Sequence, residues 1–324
     1  MPILKWVEPT DLNEAVTILN NNDSSIIYAG GKDILPLINY GLKSPKTCVS
    51  LAKLKSLSEI EFGKNGIHIG SMVSLASLAE NKFLKKKFPA LVGAAIGVAS
   101  PQIRNMATLG GNILQERRCK YFNRSKRWRE GMDPCFLING DRCYQIPKSD
   151  HCRALYYSNL TTPLLAYRAV LEIWGKEGLQ KMEIEKLFNH GGTRNLKKEE
   201  IITGIFLPLP YPKTTAVFIK ESIRASLDFP VVSLAAVYSP NIKKITIVVG
   251  GMAPYPLCLS DTEESFSRLI KVNTVDVVKT LCEIAYEELK KKRLLISEVE
   301  LNTNQKIQRF KGALKSALEQ VLQN

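Results

Sequence analysis

Residues 28–36 read YAGGKDILP, and residues 107–112 read ATLGGN. The first stretch closes the apolar run SSIIYAGG (24–31). That run reads as a short buried strand delivering the chain into two glycines. Glycine adopts positive φ without a Cβ penalty and lets another group approach the backbone closely. Successive N–H groups in such a turn form a nest for an anion, and Lys32 adds a cation beside it. The second pair lies in NMATLGGNIL (105–114), which reads as another strand-like stretch with a turn. Either pair alone is compatible with a plain tight turn. Together, each beside a strand, they favour a bound phosphate or pyrophosphate.

The usual nucleotide motifs do not account for them. No G-x-G-x-x-G opens a helix within a βαβ unit, and GGK is followed by Asp33 where a P-loop needs Ser or Thr.

Working outward, DLNEAVTILNN (11–21) spaces Leu12, Ala15, Val16 and Leu19 as one face of a helix capped by Thr10 or Asp11. TCVSL (47–51) reads as a strand, IHIGSMVSLASLAE (67–80) as a strand and then a helix, and FPALVGAAIGVAS (88–100) as a closely packed helix. TPLLAYRAVLEIWG (162–175) leads into a strand, and EEIITGIFLPLP (199–210) is a strand ending at prolines. Beyond it, strands in 215–239 and 243–259 and helices at 274–293 and 304–323 form a separate α+β unit. In the last helix Ile307, Phe310, Leu314, Ala317, Leu318 and Val321 share one face, a core stripe.

The 324 residues exceed one ordinary core, so two or three structural units are expected. No apolar run is long enough for a transmembrane helix, and the first residues do not read as a signal peptide. A cytoplasmic location is expected, with no membrane partner. The net charge of +14 is spread along the chain without a nucleic-acid-binding motif, so no nucleic-acid partner is expected.

The seven cysteines fall into two groups. Cys48, Cys258 and Cys282 stand singly in apolar stretches and read as buried thiols. Cys119, Cys135, Cys143 and Cys152 cluster in a polar segment with the spacing C-x15-C-x7-C-x8-C. Zinc sites usually contain a C-x2–4-C knuckle, which is missing, while iron–sulfur spacings vary more widely. On residues alone a cluster, a zinc site and neither all stay open. His151 is a further potential ligand, though a solvated loop histidine is the plainer reading. Seven Lys or Arg lie between Arg117 and Arg129. They would stabilise thiolates and attract an acidic redox partner. Tyr121, Phe122, Trp128 and Phe136 suit either a cluster shield or the loop's own apolar centre.

YAGGKDILP, SPQIRNMATLGGNI (100–113) and LDFPVVSLAA (227–236), in this order, resemble the FAD-binding medium subunits of the molybdenum hydroxylase family. The four-cysteine insertion after the second motif resembles the 4-hydroxybenzoyl-CoA reductase branch. The resemblance implies an α+β fold: a two-lobed FAD-binding domain of the PCMH/vanillyl-alcohol-oxidase type, with an inserted iron–sulfur loop and a C-terminal α+β domain. The implied boundaries are 1–60 and 61–212 for the lobes, 114–158 for the insertion and 213–324 for the last domain.

By the same resemblance, Ala29, Gly30, Gly31, Lys32, Asp33, Ile34, Leu35 and Pro36 would wrap the FAD pyrophosphate. Thr108, Leu109, Gly110, Gly111 and Asn112 would form a second flavin loop. Val98, Tyr121, Asn159, Lys220 and Asp228 would also contact the cofactor. Cys119, Cys135, Cys143 and Cys152 would ligate a 4Fe–4S cluster. Lys32 stands where the family usually has Thr, and Asn159 where many members have Asp. The implied partners are a large molybdopterin subunit and a small 2Fe–2S subunit, as a dimer of heterotrimers, with ferredoxin as electron donor. No catalytic acid or base is expected on this chain. Competing readings are an FAD subunit for an aldehyde, xanthine or CO substrate, a stand-alone FAD oxidase, and a zinc-stapled nucleic-acid-binding protein.

Overall fold

The computed structural model describes residues 5–189, 192–225, 227–270, 277–291 and 302–323. In chain order the elements are β1 (Lys5–Val7), α1 (Leu12–Asn21), β2 (Ser25–Tyr28), α2 (Ile34–Asn39), β3 (Thr47–Ser50), β4 (Ile60–Phe62), β5 (Gly66–Gly70), α3 (Leu75–Glu80), α4 (Lys82–Lys87), α5 (Pro89–Ile96), α6 (Pro101–Met106) and α7 (Leu109–Ile113). They continue with α8 (Lys126–Arg129), α9 (Thr161–Ala166), β6 (Val170–Gly175), β7 (Gly178–Glu183), β8 (Ile201–Pro208), β9 (Thr215–Glu221), β10 (Val232–Ser239), β11 (Lys244–Gly250), β12 (Leu257–Cys258), α10 (Ser260–Leu269), α11 (Val277–Lys291) and α12 (Thr303–Leu322).

The chain divides into two compact units. The first comprises Met1–Ser77, Pro101–Ala154 and Ala169–Pro208. It holds a parallel sheet ordered β1-β3-β2 and an antiparallel sheet ordered β4-β5-β8-β6-β7. Asp11 caps α1 by accepting from the Glu14 N–H at 2.9 Å. Ala15, Val16 and Leu19 of α1 pack with Val49, Leu51 and Leu57 as one apolar cluster.

The second unit comprises Leu78–Ser100, Leu155–Arg168 and Leu209–Asn324. Its sheet is antiparallel, in the order β12-β11-β10-β9. The apolar face of α12, with Phe310, Leu314, Ala317, Leu318 and Val321, is buried with Leu234, Ala236, Ile247 and Val249 of the sheet. Asn302 and Gln305 form a reciprocal cap at the start of α12. The helix expected over 274–293 is present as α11. Its expected ends, 274–276 and 292–293, lie outside the described residues.

Two expectations need correction. The strand expected within 105–114 is absent, and α6 and α7 lie there instead. Thr108 is the reason for the second of these helices. Its backbone is extended and its hydroxyl accepts from the Gly111 N–H at 3.2 Å, a side-chain cap that starts a turn at the glycine pair. Of the three lone cysteines, Cys48 is fully buried, but Cys258 and Cys282 are only half-buried.

Candidate cofactor site

The first glycine turn leaves β2 at Tyr28 and enters α2, where the Leu35 N–H donates to the Gly31 carbonyl at 3.1 Å. Gly31 has φ of +72°, which favours glycine. At Gly30 the constraint is space: a Cβ would sit 1.7 Å from the Met106 carbonyl oxygen and 3.3 Å from the Ala107 Cα. The first turn therefore lies directly on the segment that opens the second.

Hydrogen bonds from the Leu75 N–H to the Ala107 carbonyl (2.9 Å), from the Leu109 N–H to Val73 (2.9 Å) and from the Gly110 N–H to Ser71 (2.8 Å) fix that second segment. A Cβ at Gly110 would meet the Ser71 Cβ at 2.9 Å. Fold closure thus brings the two glycine motifs together, although they are distant in sequence. Lys32 is exposed beside them, and no ion pair holds its ammonium among the described residues.

Asp33 does something the sequence did not suggest. Its carboxylate accepts from the Glu116 N–H at 2.8 Å and from the Arg118 guanidinium at 2.6 Å. Burial pushes its pKa up, opposed by the Glu116 N–H and by the charge of Arg118. Asp33 therefore ties the first glycine turn to the start of the cysteine segment.

In the second unit, Lys220 on β9 sends its ammonium to the carbonyls of Gly97 (2.8 Å) and Asp228 (2.6 Å). Burial pulls its pKa down, against the opposing pull of Asp228. The Asp228 carboxylate accepts from the Arg224 side chain and from the backbone N–H groups of Arg224 (3.2 Å) and Phe229 (2.9 Å). The Arg224 side-chain bond leads in holding it below the usual 3.8. Asn159 is buried, and its Oδ1 has no hydrogen-bond partner among the described residues. A buried acceptor without a donor is costly in a finished protein, so a donor from a bound group suits this position. Val98 follows α5, its N–H bonded to the Ala95 carbonyl at 3.2 Å. Ala29 to Pro36, Thr108 to Asn112 and Tyr121 thus belong to the first unit, and Val98, Asn159, Lys220 and Asp228 to the second.

All four clustered cysteines lie in the first unit as half-buried free thiols. A bridge pairs Cys135 with Arg142, which sets Cys143 beside Cys135. Gly140 makes the turn between them possible, since a Cβ there would stand 1.8 Å from the Pro134 carbonyl oxygen. Cys119 interacts electrostatically with Cys143 and Cys135, and Cys152 with Cys143 and Cys119. Burial raises the Cys119 thiol, eased by N–H groups of Phe122 and Tyr121. Burial also raises Cys152, eased by the Ala154 N–H and by Arg117. Among the described residues no three His, Cys, Asp or Glu side chains stand close enough together to hold a metal ion. The donor chemistry fits a thiolate-ligated cluster, and the four thiols share one neighbourhood without ligating geometry. His151 is turned to Asp150, with Nδ1 2.6 Å from the carboxylate.

Tyr121 lies in the insertion's own aromatic group, with ring centroids 5.5 Å from Tyr144 and 6.4 Å from Trp128. Phe122 is buried, and a small cleft lined by Trp128, Met132 and Ile138 adjoins these rings. The basic stretch from Arg117 to Arg129 is divided: Lys120, Arg124, Lys126 and Arg127 are exposed, while Arg117, Arg118 and Arg129 are partly or fully buried. Arg117 is buried, Arg118 holds Asp33, Arg124 lies over the Trp128 ring, and Arg129 donates to the carbonyls of Tyr40 and Gly41.

The sequence profile of the family described as FAD binding domain in molybdopterin dehydrogenase matches residues 2–210. The chain is 25% identical over 254 residues to the nicotine 6-hydroxylase medium subunit of Paenarthrobacter nicotinovorans, covering 78% of this chain and 75% of that one. It is 25% identical over 260 residues to the xanthine dehydrogenase FAD-binding subunit of Escherichia coli O157:H7, covering 78% and 76%. Among solved structures, a chain of the carbon monoxide dehydrogenase from Hydrogenophaga pseudoflava superposes with a TM-score of 0.78 at 19% identity, covering 99% of this chain and 98% of that chain, which shows a shared fold.

Proposed function

Given that the chain belongs to the FAD-binding medium subunits of the molybdenum hydroxylase family, we propose that it serves a reductase of the 4-hydroxybenzoyl-CoA type and holds both FAD and one 4Fe–4S cluster. The chain is a subunit of an oxidoreductase complex. The observation that carries the finer reading is the insertion: four free thiols, gathered in one neighbourhood, begin right after the second glycine motif.

For FAD, the supporting features are the two glycine turns in contact, the unpaired Lys32 and the orphaned Asn159 Oδ1. The residues that would hold it are 29–36 and 108–112, with Val98, Tyr121, Asn159, Lys220 and Asp228. Cys119, Cys135, Cys143 and Cys152 would hold the cluster. When bound, the two groups supply one- and two-electron transfer. The chain's own part is to present backbone N–H groups at the first glycine turn, to keep Lys32 free for an anionic group, and to set Arg117 near Cys152 and Arg129 near Cys135.

The partners in this reading are a molybdopterin subunit and a 2Fe–2S subunit, with ferredoxin as the electron donor and aromatic degradation as the setting. A second reading, an FAD subunit for another hydroxylated substrate, draws on the relatives named above. Co-expression with the neighbouring large and small subunits separates the two. The first reading expects 4-hydroxybenzoyl-CoA to be reduced when reduced ferredoxin is supplied. A complex that instead oxidises a purine or an aldehyde, and ignores the thioester, supports the second.

A further inference from the structure

The cysteine insertion grips both ends of one short helix. At the N-terminal end of α2, Asp33 accepts from the Glu116 N–H and from Arg118. At its C-terminal end, the Arg129 guanidinium donates to the Tyr40 carbonyl at 3.2 Å and the Gly41 carbonyl at 3.0 Å. These carbonyls lie just beyond the last turn of α2, where a cation is favoured. The same guanidinium holds the Arg124 carbonyl within the insertion and interacts electrostatically with Cys135. The Lys126 stem also lies against Gly41, 3.3 Å from where a Cβ would be. One side chain thus joins the insertion's backbone to the far end of the helix that the first glycine turn enters, with Cys135 within reach of its charge.

We propose that Arg129 is a positioning residue that couples the two cofactor sites: through it and Asp33, an ordered cysteine loop holds α2, and α2 holds the Gly30–Gly31 turn. This inference rests on the reading of two cofactors given above. Coupling of this kind is reciprocal. If the filled cysteine site raises FAD affinity by some factor, bound FAD raises cluster retention by the same factor. The fork geometry matters as well as the charge. Arg129 reaches separate carbonyls in different directions, which lysine's single ammonium does not reproduce.

The test uses the full chain, purified anaerobically, as wild type, Arg129→Gln and Arg129→Lys. FAD affinity is measured by fluorescence titration before and after iron is stripped with ferricyanide and a chelator. Amide exchange is followed over residues 34–41. In wild type, stripping should weaken FAD binding about tenfold, within the ordinary range of such couplings, and should speed exchange in 34–41. In Arg129→Gln, FAD should bind about tenfold more weakly while iron is still present, and stripping should add nothing. Arg129→Lys should fall closer to Gln than to wild type. The inference is overturned if stripping leaves wild-type FAD affinity unchanged, or if exchange in 34–41 is the same in all three proteins. If the wild type contains no iron, the cluster reading fails by itself. The positioning role is then judged on exchange alone, where equal rates in wild type and Arg129→Gln refute it.

Discussion

Replacing Gly30 by alanine is the sharpest local test of how the first glycine turn, the proposed flavin turn, is built. The new methyl would start 1.7 Å from the Met106 oxygen and 2.7 Å from its carbonyl carbon. An unstrained carbon–oxygen contact lies near about 3.3 Å, so the two segments must part by roughly 1.5 Å. The obstacle is backbone, so no side chain can swing away. The segment is pinned on both sides, by the Ala107 N–H on the Ile103 carbonyl (2.7 Å) and by the Leu75 N–H on Ala107 (2.9 Å). Overpacking of this kind costs about 1–3 kcal/mol. If half of that falls on the turn proposed to cradle the cofactor, FAD affinity drops by about two- to twelvefold, at about 1.4 kcal/mol per decade. The assay is an FAD titration of the apoprotein beside a thermal melt. Gly178→Ala is the control: it has φ of +85° with nothing within 4 Å of its Cβ, so it adds strain of about 1 kcal/mol and leaves FAD binding alone. If Gly30→Ala binds FAD within a factor of about two of wild type and melts at the same temperature, the two turns are not held in contact and the argument fails.

Other consequences follow from single side chains. Lys220→Met strips a charged donor from the carbonyls of Gly97 and Asp228; it should cost about 1–3 kcal/mol, and an unchanged denaturant midpoint would show that solvent serves those carbonyls equally well. Asp228 has its pKa held below 3.8, led by Arg224, so its contribution is present above 3.8 and is lost as pH falls through the lowered value; the protection factor at Phe229, whose N–H it accepts, taken against the intrinsic rate at each pH, should fall only in that acid window, and lost protection already near neutral pH would contradict the assignment. Burial pushes the Cys282 thiol up to about 11, so at pH 8 it should alkylate about a hundredfold more slowly than free cysteine; peptide mapping that finds it labelled as fast as free cysteine would refute its enclosure.

Much of this was legible from residue order because the decisive signals were local. The α12 stripe predicts its buried face, since period and apolarity agree over about four turns of helix, from Ile307 to Val321. The glycine pair at 30–31 predicts a tight turn because one glycine needs positive φ. The second pair misled. Two adjacent glycines oppose a helix by propensity, yet the Thr108 cap and the lack of room at Gly110 against Ser71 impose one. The basic run from Arg117 to Arg129 did not reveal which of its cations are enclosed. Charge alone does not say which way a guanidinium turns, and the acceptors, Asp33, Tyr40 and Gly41, lie far back in the chain. Asp33 carried no signal of its partner for the same reason. The cysteines could be counted in the sequence, but their shared neighbourhood depends on the turn that Gly140 permits.

The central claim is that one chain holds a flavin and a thiolate-ligated iron cluster. The most direct measurement is the flavin, iron, zinc and acid-labile sulfide content of a single anaerobic preparation, read together with its ultraviolet–visible spectrum. The account predicts flavin bands over a broad brown absorbance, with about four irons and four sulfides per FAD. FAD without iron and sulfide, or a colourless protein carrying zinc, would contradict it.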